Sequence, residues 1–204
     1  ILAAYYAKEL GVPVHKLICA SNSNKVLYDF FQTGEYDRNR EFVLTTSPSM
    51  DILISSNLER LIYHIAGDSA EADAGFMKKL SEEGKYQITN EMRERLGDFA
   101  GGYATEEETA EEIRERYEKD GYVIDPHTAV ASAVYGKYRK ETGDATRTVI
   151  VSTASPFKFE TSVMKALGKP HELPDLELAD ALSAVSGVAV PQAVAGLRGA
   201  EIRH

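Results

Sequence analysis

The sequence has few of the features that mark several common classes of protein. Its 204 residues include one cysteine, Cys19, and no tryptophan, so no intrachain disulfide can form and a secreted, disulfide-stapled fold is excluded. The apolar runs are too short for a membrane-spanning helix. No basic leader of the kind that opens a signal peptide is present. We therefore expect a cytoplasmic protein with no membrane partner.

Positive charge is also scarce. The chain has 23 Lys and Arg residues against 32 Asp and Glu residues, which gives a formal net charge of −9 and a pI of about 5.1. A protein that binds the phosphate backbone of DNA or RNA presents a basic face, so we expect no nucleic-acid partner. The hydrophobic content of 43% is sufficient for an ordinary buried core.

Familiar catalytic and metal-binding motifs are missing too. There is no Gly-x-Ser-x-Gly elbow, no Walker loop and no Cys-x-x-Cys pair. The acidic run 106–108 could hold a metal ion, but it follows Thr105 in a capping-box pattern, which indicates a solvated helix start. Cys19 lies inside an apolar run, which is typical of an unreactive core thiol. The histidines show no metal-ligand spacing and lie at positions His15, His64, His127, His171 and His204.

Two segments of the chain follow the same order of strand, polar turn and helix. Residues 16–32 read as a buried strand, a turn rich in Ser and Asn, and a helix. Residues 146–167 repeat that order, and the β-branched run 146–151 is the predicted strand. This order is typical of parallel sheets flanked by helices. We therefore predict an α/β fold.

Other elements follow from hydrophobic periodicity and capping signals. A long helix is predicted to start at the cap 47–51 and to end at Gly67. Short strands are possible at 42–44, 85–88 and 99–104. The remaining predicted helices lie at about 1–10, 70–82, 90–96, 106–119, 127–140, 176–185 and 192–197.

The predicted elements suggest three parts of the chain. Residues 1–67 would form part of a large α/β domain. Charged residues dominate 68–120, which reads as a helical insertion. Residues 121–204 would complete the large domain and add C-terminal helices.

Three polar turns at strand ends or helix starts are candidate binding sites: residues 21–24, 47–51 and 152–155. Ligands of α/β proteins bind at the carboxyl ends of strands, often against helix N-termini. The same Ser, Thr, Asn and Asp residues are also ordinary helix caps, so both interpretations stay open. A fourth candidate is His127 beside Asp125, either as a general base or as a helix-start residue bonded to the backbone.

Five segments together resemble bacterial threonine synthase, and the resemblance covers nearly the whole chain. The segments are residues 1–8 (ILAAYYAK), 17–24 (LICASNSN), 49–60 (SMDILISSNLER), 125–131 (DPHTAVA) and 152–159 (STASPFKF). The resemblance implies the C-terminal portion of a fold-type-II pyridoxal 5'-phosphate enzyme. That family is a carbon–oxygen lyase of threonine biosynthesis, which converts O-phospho-L-homoserine and water to L-threonine and phosphate.

The resemblance also implies roles for particular residues. By motif match, the hydroxyl of Thr153 would face the pyridine nitrogen of the cofactor, with Ser155 as a neighbouring candidate. Lys158 would meet the substrate phosphate, or it is a solvated helix lysine. Asn57 and Arg60 would line the substrate side.

One departure from the family is large. The Schiff-base lysine and the Gly-rich loop for the cofactor phosphate lie in an N-terminal part that this chain does not contain, so none of its lysines takes the catalytic role. Residue 1 falls inside a helical pattern with no cap, which agrees with a C-terminal fragment. We expect the fragment to be inactive alone, to need the N-terminal half as a partner, and to self-associate through uncovered apolar surface.

Two alternatives stay open. The chain could be a non-catalytic threonine-synthase-like module that binds a ligand or a partner, with 68–120 as its interaction face. It could also belong to a different fold-type-II enzyme, such as a dehydratase, which would lack specificity for phosphate esters.

Overall fold

The computed structural model describes residues 1–201, so His204 lies outside the described residues. The chain forms two compact units. The first comprises Ile1–Ala104 and Val134–Thr148, and the second comprises Thr105–Ala133 and the described residues from Val149 onward. Each unit has its own hydrophobic core.

The first unit contains two small sheets. Strand β1 (Leu17–Ser21) pairs in parallel with β4 (Phe99–Tyr103), with Leu17 opposite Phe99 and Ser21 opposite Tyr103. Strand β2 (Glu35–Asp37) pairs antiparallel with β3 (Lys85–Gln87). The parallel pair joins strands that are about eighty residues apart in sequence and needs a crossover between them.

Helices pack around these strands in the first unit. They are α1 (Leu2–Glu9), α2 (Val26–Thr33), α3 (Ser56–Ile65), α4 (Ala70–Glu82) and α5 (Asn90–Arg95). Their apolar faces bury a core around Phe30, Tyr36, Ile62 and Tyr86. The rings of Tyr36 and Tyr86 stack with centroids 5.5 Å apart, so the antiparallel pair β2–β3 is joined by side chains as well as by its backbone.

The second unit is helical in its described residues. It contains α6 (Glu106–Asp120), α8 (Glu160–Ala166), α9 (Asp175–Ser186) and α10 (Gln192–Ala195). Helix α7 (Pro126–Thr142) contributes its residues up to Ala133 to this unit and its later residues to the first. Short 3-10 helices lie at Pro156–Lys158 and Gly196–Gly199. The core contains Ile113, Val163, Met164, Leu178 and Leu182.

Most predicted elements are present, and the α/β prediction is confirmed by the parallel pair and its helices. The capping box is also confirmed: Thr105 Oγ1 accepts the N–H of Glu108 at 3.2 Å, and Glu108 Oε2 accepts the N–H of Thr105 at 2.8 Å. Strands occur at 85–87 and 99–103, where the sequence left them as possibilities.

The prediction of a strand at 146–151 is wrong for the described residues. These residues form no ladder, and the side chains of Val149 and Val151 are 83% and 68% exposed. β-branched residues suit a pleated, half-buried surface, but a strand also needs a hydrogen-bonded neighbour. Within residues 1–201 no strand pairs with this run.

The predicted strand at 42–44 is wrong as well. The backbone of Val43 is hydrogen-bonded to a side chain: its N–H donates to Asn24 Oδ1 at 2.9 Å, and its carbonyl accepts from Asn24 Nδ2 at 2.7 Å. The amide of Asn24 therefore takes the place of a strand partner.

The long helix predicted from 47–51 begins later than expected. A 3-10 helix covers only Pro48–Met50, and α3 starts after Ser55, whose Oγ accepts the N–H of Leu58 at 3.3 Å. The backbone of Asp51 leaves the helical region, with φ of −77° and ψ of +79°, and its carboxylate binds back to residues that precede it, including the N–H of Thr45 at 3.0 Å.

The stretch 68–120 has its three helices where the sequence indicates. Its part up to Ala104 lies in the first unit, where Leu80 and Met92 join the core, and α6 lies in the second. The bounds of the two units differ from those of the three predicted parts. The division of the whole protein into those three parts stays a prediction. Among residues 1–201, no helix is both long and apolar enough to cross a membrane; the cytoplasmic location stays a prediction.

Candidate functional site

The turn at residues 152–159 lies in the second unit and is organised by Ser155. The Ser155 Oγ accepts the N–H of Phe157 at 3.3 Å, and its carbonyl accepts the N–H of Lys158 at 3.0 Å. Ser155 therefore caps the 3-10 helix Pro156–Lys158, where Pro156 needs no hydrogen bond at the first position. The side chain of Phe157 is 5% exposed and fixes the turn to the core.

Thr153 and Lys158 are the parts of this turn that remain available to a ligand. Both are exposed. Neither side chain has a hydrogen bond or an ion pair with another residue in the described range. The turn thus presents a neutral hydroxyl and an ammonium group, five residues apart. Neither group takes part in the hydrogen bonds that hold the turn together.

Asp125 begins helix α7 and is 1% exposed. Its Oδ1 accepts the backbone N–H groups of His127 and Thr128 at 2.9 and 3.4 Å, which caps the helix. The same oxygen lies 3.0 Å from His127 Nδ1, and Oδ2 accepts the hydroxyl of Thr128 at 2.5 Å. Three N–H and O–H groups thus donate to the buried side chain of Asp125, and the His127 ring nitrogen lies beside it.

The start of α7 also contacts both ends of the turn. Thr128 Oγ1 is hydrogen-bonded to Ser152 Oγ at 2.8 Å. The imidazole of His127 packs against the ring of Phe159 with centroids 4.8 Å apart. His127 thus lies at the helix start with its ring beside the Asp125 carboxyl group, and the choice between general base and helix-start residue stays a prediction.

The other two predicted substrate residues lie in the first unit. Asn57 and Arg60 are exposed on the first turns of α3, and Arg60 Nη1 donates to Asn57 Oδ1 at 2.6 Å. The structure therefore brings these two residues together as a pair. Thr153, Ser155 and Lys158 form the second group, within the other unit.

Two polar turns that the sequence suggested separately meet in the first unit. Asn22, at the carboxyl end of β1, donates from Nδ2 to Asp51 Oδ1 at 2.7 Å and to Ser47 Oγ at 3.0 Å. Asn24 Nδ2 donates to the same Asp51 oxygen at 3.0 Å. Asn22 and Ser47 are fully buried. Because these groups satisfy one another, the network holds the loop against the strand and is not an open ligand site.

Sequence reasoning did not single out Thr128, which joins the helix start to the turn. The available signal was the run Asp-Pro-His-Thr, in which a helix-capping Asp precedes a hydroxyl residue by three positions. That spacing indicates a cap but not its contact with Ser152, which lies 24 residues further on.

Matches to solved structures give the class of the fold: an α/β chain of the kind found in fold-type-II pyridoxal-phosphate enzymes. The crystal structure of PLP-bound threonine synthase from Brucella melitensis matches with a TM-score of 0.76 and 36% identity, over 91% of this chain and 38% of that enzyme. The crystal structure of threonine synthase from yeast matches with a TM-score of 0.83 and 31% identity, over 98% of this chain and 40% of that enzyme.

Sequence comparisons show similarity to one family. Residues 128–200 match the family model for the C-terminal part of threonine synthase. Human threonine synthase-like 1 is 42% identical over 169 residues, which cover 82% of this chain and 22% of that protein. The chain is therefore similar to the C-terminal part of threonine synthases, and the resemblance seen in the sequence is confirmed. It spans between about a fifth and two fifths of the length of these relatives.

The residues of the turn fit a pyridoxal-phosphate ring. A pyridine nitrogen needs one hydrogen-bonding partner, and the exposed Thr153 hydroxyl is uncommitted among the described residues. The Ser155 oxygen accepts the N–H of Phe157, but its own O–H can still donate. The nearby side chain of Asp125 is buried and already accepts from His127 and Thr128. The turn thus offers neutral hydroxyls to a ring nitrogen, and the choice of Thr153, with Ser155 as its neighbour, stays what the resemblance implies.

Proposed function

We propose that this chain is the C-terminal portion of a pyridoxal-phosphate-dependent threonine synthase, which forms L-threonine and phosphate from O-phospho-L-homoserine and water. The observation that carries the proposal is the uncommitted Thr153 hydroxyl in a turn of a chain similar to threonine synthase. The matched enzyme from Brucella melitensis is a PLP-bound threonine synthase, which supports the same cofactor here.

Thr153 faces the pyridine nitrogen of the cofactor in this proposal. A hydroxyl can donate a hydrogen bond to an unprotonated nitrogen, and unlike a carboxylate it does not hold that nitrogen protonated. When bound, the cofactor supplies the electron sink for carbanions at Cα and Cβ of the substrate, while the protein supplies position and electrostatics. Ser155 holds the turn and is the neighbouring candidate.

Lys158, Asn57 and Arg60 act on the substrate side. The ammonium of Lys158 is exposed and would balance part of the phosphate charge, since phosphate groups bind Lys as a point charge. Arg60, oriented by its 2.6 Å hydrogen bond to Asn57, keeps other guanidinium N–H groups for an anionic group of the substrate.

The lysine that binds the cofactor covalently and the loop that binds its phosphate come from the N-terminal part of the enzyme. The chain alone is then inactive, and its partner is that N-terminal part. Apolar side chains such as Leu10, 87% exposed, and Val149, 83% exposed, would drive self-association of the isolated chain. A monomer by light scattering at high concentration would contradict the self-association.

The test is phosphate release from O-phospho-L-homoserine with added pyridoxal phosphate. The chain is assayed alone, then mixed with a polypeptide that carries the N-terminal part of threonine synthase. Activity only in the mixture supports the proposal. Activity of the chain alone would show that it carries its own catalytic lysine. Turnover of serine or threonine without the phosphate ester would instead indicate a dehydratase.

A non-catalytic, threonine-synthase-like module is the second candidate. It is favoured by the 42% identity to a human protein that is named threonine synthase-like 1. Calorimetric titration of the folded mixture with O-phospho-L-homoserine separates the two candidates. Binding without phosphate release supports the module, and binding followed by release supports the enzyme.

A further inference from the structure

The start of helix α7 contacts the hydroxyl turn at both of its ends. Thr128 binds Ser152, the residue just before Thr153, and His127 packs on Phe159, the residue just after Lys158. We propose that Thr128 and His127 are positioning residues, which hold the segment 152–159 so that Thr153 and Lys158 keep a fixed place. The inference rests on the proposed function only for the roles of Thr153 and Lys158 towards the cofactor and the substrate.

The contact with Ser152 matters because Thr153 has no anchor of its own. Residues 149–153 form no strand, and all of them except the half-buried Ile150 are exposed. No described residue bonds the Thr153 side chain. The 2.8 Å hydrogen bond between Thr128 Oγ1 and Ser152 Oγ therefore restrains the backbone immediately before Thr153. Without it, the first anchored residue of the turn is Ser155.

The Thr128 hydroxyl is itself held in place. It donates to Asp125 Oδ2 at 2.5 Å, and the β-branched side chain of threonine has few χ1 rotamers. Asp125 in turn accepts from the backbone of His127 and Thr128. The anchor for Ser152 is thus a rigid helix start rather than a mobile side chain.

The second contact fixes the other end of the segment. Phe159 ends the 3-10 helix and precedes α8, so its position sets where that helix begins. The His127 ring is 8% exposed and meets the Phe159 ring at an angle of 58°. Since Asp125 holds His127 through both its N–H and Nδ1, one buried carboxylate orients both contacts.

The composition of this cluster favours positioning over stability. A buried cluster of a carboxyl group, a hydroxyl and an imidazole adds little stability over apolar residues of similar volume, because polar groups lose their hydration on burial. Ser152 lies at the surface, where one hydrogen bond adds little to global stability. The cluster does, however, define one geometry for the turn.

Amide hydrogen exchange of the whole chain tests the inference without turnover. Thr128→Val should raise the exchange rates of the Phe157 and Lys158 amides by about tenfold, the effect of one lost hydrogen bond. Thr128→Ser keeps the hydroxyl and should restore the slow rates. Thr142→Val is the matched control, because Thr142 lies on the same helix and its hydroxyl bonds the Tyr138 carbonyl at 2.8 Å, away from the turn; it should leave both amides unchanged.

Ser152→Ala removes the same hydrogen bond from the exposed side and should reproduce the faster exchange even if Thr128→Val folds poorly. Unchanged exchange in Ser152→Ala would overturn the inference. A uniform increase in exchange rates across the chain, with a lower urea midpoint, would also overturn it, since that pattern reports general destabilisation.

In the reconstituted mixture, Thr128→Val should shift the cofactor absorbance in the same direction as Thr153→Val. If that mixture releases no phosphate, the proposed function fails while the exchange result still decides the positioning role.

Discussion

The side chain of Asn24 binds both backbone polar groups of Val43, at 2.9 Å to the N–H and 2.7 Å to the carbonyl. Asn24 itself is 3% exposed, whereas Val43 is 38% exposed. The two bonds tie residue 43 to the turn after β1, where Asn22 and Asp51 complete the same network.

Asn24→Ala should destabilise the first unit by about 1–3 kcal/mol, because it removes two part-buried hydrogen bonds to the backbone of Val43. The measurement is the urea midpoint of unfolding, with Asn90→Ala as the control, since Asn90 is exposed at the start of α5. Equal effects of the two substitutions would show that the Val43 contact contributes nothing of its own.

Gly102 is required by its close approach to α7. A Cβ added at this position would lie 2.4 Å from Val134 Cγ1, so Gly102→Ala should cost about 1–3 kcal/mol through overpacking. Val134→Ala in the same chain should recover part of that loss. Gly136→Ala is the opposite control: nothing lies within 4 Å of its added Cβ, so it should stabilise α7 by about 0.5–1 kcal/mol. Additive effects of Gly102→Ala and Val134→Ala would argue against the contact.

Asp144 should account for part of the loss of stability in acid. Hydrogen bonds from the side chain and the N–H of Thr146, and from the hydroxyl of Tyr138, lower the pKa of its carboxyl group to about 2. The folded pKa lies below the unfolded value of about 3.9, so the stabilisation is present above that value and is lost as the pH falls towards 2. Urea titrations between those pH values should show a smaller loss for Asp144→Asn than for the unchanged chain. Identical acid slopes would contradict the role of Asp144.

Cys19 should be unreactive in the folded chain. Burial raises the pKa of its thiol to about 11, and only 6% of the residue is exposed, so little thiolate is present or accessible at pH 8. An aromatic disulfide reagent should label Cys19 slowly in buffer and rapidly in urea. Rapid labelling in buffer would mean that β1 opens readily.

Signals in the sequence predicted those elements whose structure depends on residues close to them in the chain. The Thr105–Glu108 capping box fixed the start of α6, and Gly67 after α3, with φ of +77°, ended that helix as expected. These elements are determined by interactions within a few residues, so hydrophobic period and cap chemistry are sufficient to place them.

Long-range contacts account for what the sequence did not reveal. The run 146–151 has strand composition but no partner strand in the described part of the chain, and residues 42–44 have a side chain as their partner instead. In the site, the motif match selected Thr153 and Ser155, and the cap at Ser155 is local. The hydrogen bond between Thr128 and Ser152 joins residues 24 positions apart, and no periodicity reports such a contact.

The central claim is that this chain supplies the hydroxyl partner of the cofactor ring in a threonine synthase. The most direct measurement is the rate of phosphate release from O-phospho-L-homoserine by the chain mixed with the N-terminal part, for Thr153→Val and for Thr148→Val as the control on a nearby exposed threonine. The account predicts a loss of about tenfold or more for Thr153→Val, as expected for one hydrogen bond to the reacting system, together with a shifted cofactor absorbance and an unchanged rate for Thr148→Val. An active mixture whose rate and spectrum are the same for both variants would contradict it.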